Sequence, residues 1–381
     1  MRDKALDIHK GGKLAISSRV KLDDAKDLSL AYTPGVAIPC QEIYQNPDLV
    51  YKYTSKGHMV LVVSDGSAVL GLGNIGAKAA IPVMEGKALL LKRFAGLDAF
   101  PICLETQDPE EIIKTIKLIS CNFGGIILED IASPNCVLIE RKLQEQLQIP
   151  VFHDDQHGTA IVVAAALINA TRLLNKNIEG LKIVVSGTGA AGSAVIRILK
   201  ALGVNIIYAY NKQGVVDINN YHEYNFVVRE LLDKGLINTP KQHNNTLSSI
   251  IAGCDAFIGL SGPNILLGSD VKLMNDPIIF ALANPQPEIM PEVAKANGAK
   301  VIGTGRSDYP NQINNVLAFP GIFKGALKAK IPNITLEMKI AAAKAISNII
   351  EYHELSPEYI IPSVFDERVV EAVSDAIMKL G

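Results

Sequence analysis

The sequence predicts an α/β protein of two lobes, each built on a mainly parallel sheet with helices on both faces. Three observations carry that expectation. Short β-branched apolar runs alternate with longer helical patterns, the arrangement of strand–helix–strand units. At 381 residues the chain is too long for one ordinary domain. Hydrophobic residues make up 48% and charged residues 20%, enough for a large aliphatic core, while tryptophan is absent.

In chain order, strands are expected over 58–64, 99–104, 125–128, 182–186, 204–210, 256–259, 278–282 and 300–303. The runs GGIIL, LKIVVS and NIIYAY are typical of them. Helices are expected over 75–94, 109–121, 134–147, 158–174, 190–202, 336–352 and 367–380. Thr335 stands where an N-cap would open the sixth of these. The apolar helix beginning near Gly158 reads as a hinge, so the lobes are expected at 1–156 and 157–381.

Composition excludes several classes. Lys and Arg total 37 and Asp and Glu 39, a net charge of −2 that gives no grip on nucleic acid or an anionic membrane. The start, MRDKALDIHKGGKL, lacks the apolar core of a secretory signal, and no run of about 18 apolar residues suggests a membrane span. Five scattered cysteines form no CxxC pair, which argues against a disulfide framework or zinc ribbon. A cytoplasmic setting is the expectation.

The pattern GxGxxG occurs twice, at Gly71, Gly73 and Gly76 and at Gly187, Gly189 and Gly192. Glycine serves here for a tight turn, backbone approach to a pyrophosphate and close helix–strand packing. The second copy follows a strand directly and opens a helix, so Gly187–Gly192, with Thr188, Ala190 and Ala191 inside it, is the expected dinucleotide turn of a Rossmann-like lobe. The first copy is either a sharp loop or part of the same cleft. The next strand ends at Asn211, where a ribose-binding acid is expected. Asn211 can bond a ribose hydroxyl but lacks the charge that repels a 2′-phosphate, so NAD and NADP both stay open.

Glu129 and Asp130 follow one strand; Asp154 and Asp155 follow the run PVFH. A helix separates them, and a right-handed crossover makes such strands parallel and near neighbours. Both acidic pairs then project from one sheet edge, where they repel unless protonated or bridged by a cation. Hard oxygen ligands suit Mg²⁺ or Mn²⁺. The other reading is that each pair caps the helix it precedes. His153 and His157, flanking the second pair, read as packing or capping residues. Lys87, in an apolar helical stretch, either snorkels to solvent or is desolvated, with its pKa lowered towards use as a base. Tyr32 sits in the turn AYTPGVA. Asn284, Asn314 and Asn315 offer neutral amides near strand ends, for a carboxylate, a nicotinamide amide or simply a turn.

The stretches AYTPGVA, SDGSAVLGLGNIGAKAAIPVMEGKALLLK, ILEDI, VFHDDQHGTA, VVSGTGAAG, FALANPQPE and NQINNVLAFPGIFKGAL stand in the order found in malic enzymes. Over nearly its whole length the sequence resembles the compact bacterial form of that family. The resemblance implies oxidative decarboxylation of L-malate to pyruvate and CO₂, with NAD or NADP and with Mg²⁺ or Mn²⁺. It implies that Lys87 accepts the C2 hydroxyl proton, that Tyr32 protonates C3 after CO₂ leaves, and that Asp154 handles a proton or supports the ligands. Glu129, Asp130 and Asp155 would ligate the metal. The Gly187–Gly192 turn, Asn211 and Asn284 would meet the cofactor, and Gly73, Asn284, Asn314 and Asn315 the substrate. A homodimer is implied too.

Two departures stand out. Larger relatives carry a substrate-binding arginine where this chain has Ala68, and the acetyltransferase-like extension of some bacterial relatives does not follow, so regulation through it is not expected. Three other readings compete: a malolactic lyase turning malate to lactate, a metal-independent amino-acid dehydrogenase, and a nucleotide-sensing protein on a degenerate scaffold.

Overall fold

The structure is a computed structural model that describes residues 2–381. Two sheets organise it. The first contains β1 (Met59–Ser64), β2 (Asp98–Cys103), β3 (Gly125–Leu128) and β4 (Val151–His153), ordered β2-β1-β3-β4 and parallel throughout. The second contains β5 (Lys182–Ser186), β6 (Ile206–Asn211), β7 (Gly214–Val215), β8 (Ala256–Gly259), β9 (Ile278–Ala281) and β10 (Val301–Thr304). Its order is β10-β9-β8-β5-β6-β7, with only β7 antiparallel. Every residue of β3, β8 and β9 is buried, as expected of strands covered on both faces.

The helix Asp154–Leu173 joins the sheets. Buried residues lie all round it, and an all-round apolar helix belongs inside a protein. Its Ile161, Val163 and Leu167 share one continuous core with Val60 and Val62 of β1 and with Ile183 and Val185 of β5. It starts four residues earlier than periodicity indicates. His153 caps it by accepting the Gln156 N–H at Nδ1, so Asp154 and Asp155 form the first turn. Acidic side chains there are favoured by the helix dipole.

The chain also returns. The helix Phe319–Ala329 lies against the first sheet, where a Cβ on Gly125 would sit 2.8 Å from the Phe323 ring. That close approach is the reason for glycine at the start of β3.

Several elements depart from the sequence reading. A helix was expected after the turn AYTPGVA and runs over Ala37–Gln45, but Arg2–His9, Ala25–Ala31 and Val50–Tyr53 were not expected, and none of the four buries a residue. Without a buried stripe they lack the periodic signal by which a helix is recognised. The helix over 75–94 ends its α-helical part at Leu90 and continues as a π-turn, Leu91–Ala95, closed by Gly96 at φ 71°. No helix among the described residues is long and apolar enough to cross a membrane.

Candidate active site

The carboxyl ends of both sheets open onto one cavity of about 910 Å³. From the first half of the chain it is lined by Lys87, Glu129, Asp130, Ser133 and Asp155, and from the second by Ala190, Ala191, Asn284, Asn314 and Asn315, among others. Open α/β sheets place ligands at this edge.

The sheet order explains the acidic group. β3 and β4 are neighbours, so Glu129 and Asp130, after β3, meet Asp154 and Asp155, after β4. The Asp130 N–H donates to Asp155 Oδ2 at 2.8 Å. Asp130 has φ 54°, a left-handed conformation that aspartate tolerates better than most residues and that is common where function holds a strained backbone. Ligand oxygens of Glu129, Asp130 and Asp155 lie within 4.8 Å of one another.

Lys87, only 6% exposed, reaches this group from the helix Gly76–Leu90. Its Nζ lies 2.7 Å from Glu129 Oε1, 2.7 Å from Asp154 Oδ2 and 4.5 Å from the centre of the Phe319 ring. The lysine therefore does not snorkel. Nor is its pKa lowered: burial pushes it down, but Asp154 and Glu129 outweigh burial and hold it above its usual value. Glycine makes room for the arrangement, since a Cβ on Gly158 would fall 1.9 Å from Asp154 Oδ1.

The carboxylates outnumber the lysine. Burial raises Glu129 well above the usual carboxylate range, and Asp155, Asp154 and Asp130 push it further, against Lys87. Burial likewise raises Asp154 to about 6 against the pull of Lys87. Glu129 Oε2 and Asp154 Oδ1 are buried and accept no hydrogen bond among the described residues. A buried carboxylate oxygen without a donor is costly, and a hard divalent cation satisfies such oxygens. The donor set fits Mg²⁺ or Mn²⁺.

The second glycine turn has its three glycines in three different situations. Gly187, at φ 101°, would place a Cβ 2.5 Å from the Leu260 carbonyl oxygen. A Cβ on Gly192 would meet the Gly187 carbonyl at 1.7 Å, so helix and turn could not approach. Gly189 faces open space, with Ser133, in the turn after β3, 4.0 Å from the position of a Cβ. That is where a pyrophosphate can approach the backbone, at the uncapped N-terminus of the helix Ala190–Ala201. Asn211 closes the turn from β6, donating from Nδ2 to Thr188 Oγ1 at 3.1 Å and accepting the Gln213 N–H.

The first glycine copy has another task. A Cβ on Gly71 would lie 2.2 Å from the Asn284 carbonyl oxygen, so this loop seats the Asn284–Pro285 turn of the second sheet against the cavity. Gly73 does not line the cavity, whereas Asn284, Asn314 and Asn315 do. Asn314 also caps a short helical turn by accepting the Val316 N–H.

Tyr32 is not brought to the group. It is 65% exposed on the N-terminal helices and does not line the cavity. Ala68 does line it. No arginine is among the described residues there; the cations are Lys87 and Lys13. Lys13 donates to the Pro82 carbonyl oxygen at 2.6 Å and lies 3.0 Å from His9 Nε2. Sequence reasoning missed Lys13, because nothing in MRDKALDIHKGGKL points to the distant helix it packs against.

Comparison with known proteins supplies a family. The family model "Malic enzyme, N-terminal domain" matches residues 11–110, and "Malic enzyme, NAD binding domain" matches 156–379. The chain is 52% identical to the bifunctional malic/malolactic enzyme of Bacillus subtilis, over 100% of this chain and 92% of that protein. It is 51% identical to the NAD-dependent malic enzyme of Geobacillus stearothermophilus, over 99% and 78%. It is 45% identical to the NADP-dependent malic enzyme of Escherichia coli, of which it covers 52%. Among solved structures, the NAD-dependent malic enzyme of Thermotoga maritima superposes with a TM-score of 0.93 at 47% identity, covering 98% of each chain.

Proposed function

The chain belongs to the malic enzyme family, and from that premise we propose how its residues carry out the NAD(P)-dependent oxidative decarboxylation of L-malate to pyruvate and CO₂. The observation that carries the reading is the buried Lys87, ion-paired to Glu129 and Asp154 at 2.7 Å each, beside ligand oxygens of Glu129, Asp130 and Asp155 that lie within 4.8 Å of one another.

Glu129, Asp130 and Asp155 would hold the divalent ion. When bound, the ion would supply Lewis-acid polarisation of the C2 oxygen and would cancel part of the negative charge that keeps Lys87 protonated, and the nicotinamide would supply the hydride acceptor. Lys87 takes the C2 hydroxyl proton, and Asp154, bonded to it, passes that proton on. Asn284, Asn314 and Asn315 orient the substrate from the opposite wall. Lys13 offers the substrate carboxylate the positive charge that Ala68 cannot. The Gly187–Gly192 turn and Asn211 bind the dinucleotide. Residues 1–156 act as the catalytic domain and 157–381 as the dinucleotide domain.

Tyr32 protonates C3, and it does so from a second copy of the chain in a homodimer. Its exposure and the unpartnered Leu28, Leu30, Ile38 and Tyr44 around it support this reading, since these helices bury nothing within one chain. Mixing Tyr32→Phe chains with Lys87→Ala chains checks it: random re-pairing restores about a quarter of the activity if tyrosine and lysine come from different copies, and none if they come from one.

The reaction itself is checked by following reduced nicotinamide with L-malate and Mn²⁺, with NAD and NADP in separate tubes and pyruvate and lactate assayed in both. Equal yields of reduced cofactor and pyruvate are expected. Lactate without reduced cofactor would mean a redox-neutral lyase, a reading favoured by the malic/malolactic name of the Bacillus subtilis relative.

A further inference from the structure

A second cavity, of about 310 Å³, lies where the helices Asn135–Gln146, Asp154–Leu173, Ala190–Ala201, Phe226–Asp233 and Leu336–Ser347 meet. Its lining is rich in cations. Arg141 and Arg197 both donate to Glu230 Oε2, at 2.6 and 3.0 Å, and Lys234 donates to Oε1 at 2.6 Å. One carboxylate thus serves three cations. Lys339 enters from the other side, partly buried, and its ammonium makes no hydrogen bond or ion pair among the described residues. It lies over the Phe152 ring, 6.0 Å from the ring centre. Glu140 is the other carboxylate present, but it is already engaged. Its Oε1 accepts the His153 N–H at 2.8 Å, and its Oε2 receives Gln156 Nε2 at 3.2 Å and His157 Nε2 at 2.9 Å. With His157 counted neutral, the lining keeps two positive charges without a counter-ion.

We propose that this cavity binds a small dianion, a phosphoryl group or a short dicarboxylate, and that its occupancy is felt at the active site through Glu140. The volume suits a small metabolite rather than a nucleotide. Two guanidinium forks at the rim suit planar or tetrahedral oxyanions. Burial pushes the Lys339 ammonium down to about 8, against the pull of Glu140, so an anion beside it relieves a real cost. The route to the active site is short. Glu140 fixes the His153 backbone, and the next two residues are Asp154 and Asp155.

Calorimetric titration of the full chain with inorganic phosphate, and separately with succinate, tests the site with NAD saturating the glycine turn. One ion per chain is expected, whichever of the two anions is preferred. Lys339→Met should weaken binding by about tenfold or more. Arg141→Gln, at a more exposed position, should weaken it less and guards against a folding defect in the first variant. At constant free Mn²⁺ the preferred anion should shift the KM for malate by about twofold or more in the native chain, and not in Lys339→Met. The proposal is overturned if NAD displaces the anion, if both variants bind it as the native chain does, or if the kinetic effect survives in Lys339→Met. The calorimetric result does not depend on the reaction, so its failure is distinct from failure of the malate assay.

Discussion

Two groups of buried carboxylates flank the start of the helix Asp154–Leu173, and they are opposites. Glu140 accepts three hydrogen bonds; burial would raise it, but His157, Lys339 and His153 outweigh burial and hold it at about 2. Glu129 and Asp154 are equally buried, yet share one lysine, keep oxygens without donors and are held above the usual range. The residue types are the same. The difference lies in the supply of partners, and it separates a carboxylate that braces the fold from carboxylates whose oxygens suit a cation. Buried polar groups are normally satisfied, so those left short point to a site.

Substitutions can break this contrast. Lys87→Ala should lower kcat by about 10²–10⁴-fold, the usual worth of a positioned acid–base group, read as malate-dependent cofactor reduction with Mn²⁺. A loss below about tenfold would remove Lys87 from the chemistry. Glu140→Ala should instead cost stability, about 3–5 kcal/mol by chemical denaturation, because the donors it serves are left buried and unpaired. If its main effect is on kcat with stability intact, the bracing role is wrong. Asp155→Asn should weaken Mn²⁺ binding by about tenfold or more while dinucleotide affinity changes little; equal metal affinity would end the cation reading.

Acidity sharpens the same contrast. The Asp154 carboxyl is raised in the folded protein, so it holds a proton more tightly folded than unfolded. Its contribution to stability is full below about pH 4 and is lost as pH rises through about 6. Metal-free protein should therefore lose part of its unfolding free energy between those values, and Asp154→Asn should remove that part of the slope. Glu140 and Glu230, both held at about 2, act the other way: the stability they contribute is present above about pH 4.5 and lost as pH falls towards 2. The smallest effect is expected of Asn211→Asp, which should move preference towards NAD by about fivefold. An unchanged NAD/NADP ratio would place the ribose away from this turn.

Much was legible from local pattern. Strands such as β3, β5 and β8 are short, apolar and bounded by turns, and their limits follow from those features. The convergence of Glu129 and Asp130 with Asp154 and Asp155 was readable too, because crossover handedness constrains which strand ends can be neighbours. The N-terminal helices Arg2–His9, Ala25–Ala31 and Val50–Tyr53 were not legible, since they bury nothing and so carry no periodic stripe.

The sequence by itself determined the two-sheet α/β class, the glycine turn at Gly187–Gly192 and the acidic edge, all of which rest on short-range geometry and chain handedness. Only the tertiary structure decided the rest. It set Lys87 between two carboxylates and so reversed the expected direction of its pKa. It used Gly71 to seat the Asn284 turn and Gly158 to admit the Asp154 carboxyl, brought Lys13 to the cavity and left Tyr32 outside it. The physical reason is common to all five. Each depends on which groups the fold brings into contact, and burial, steric room and Coulomb energy are set by those neighbours rather than by adjacent residues in the chain.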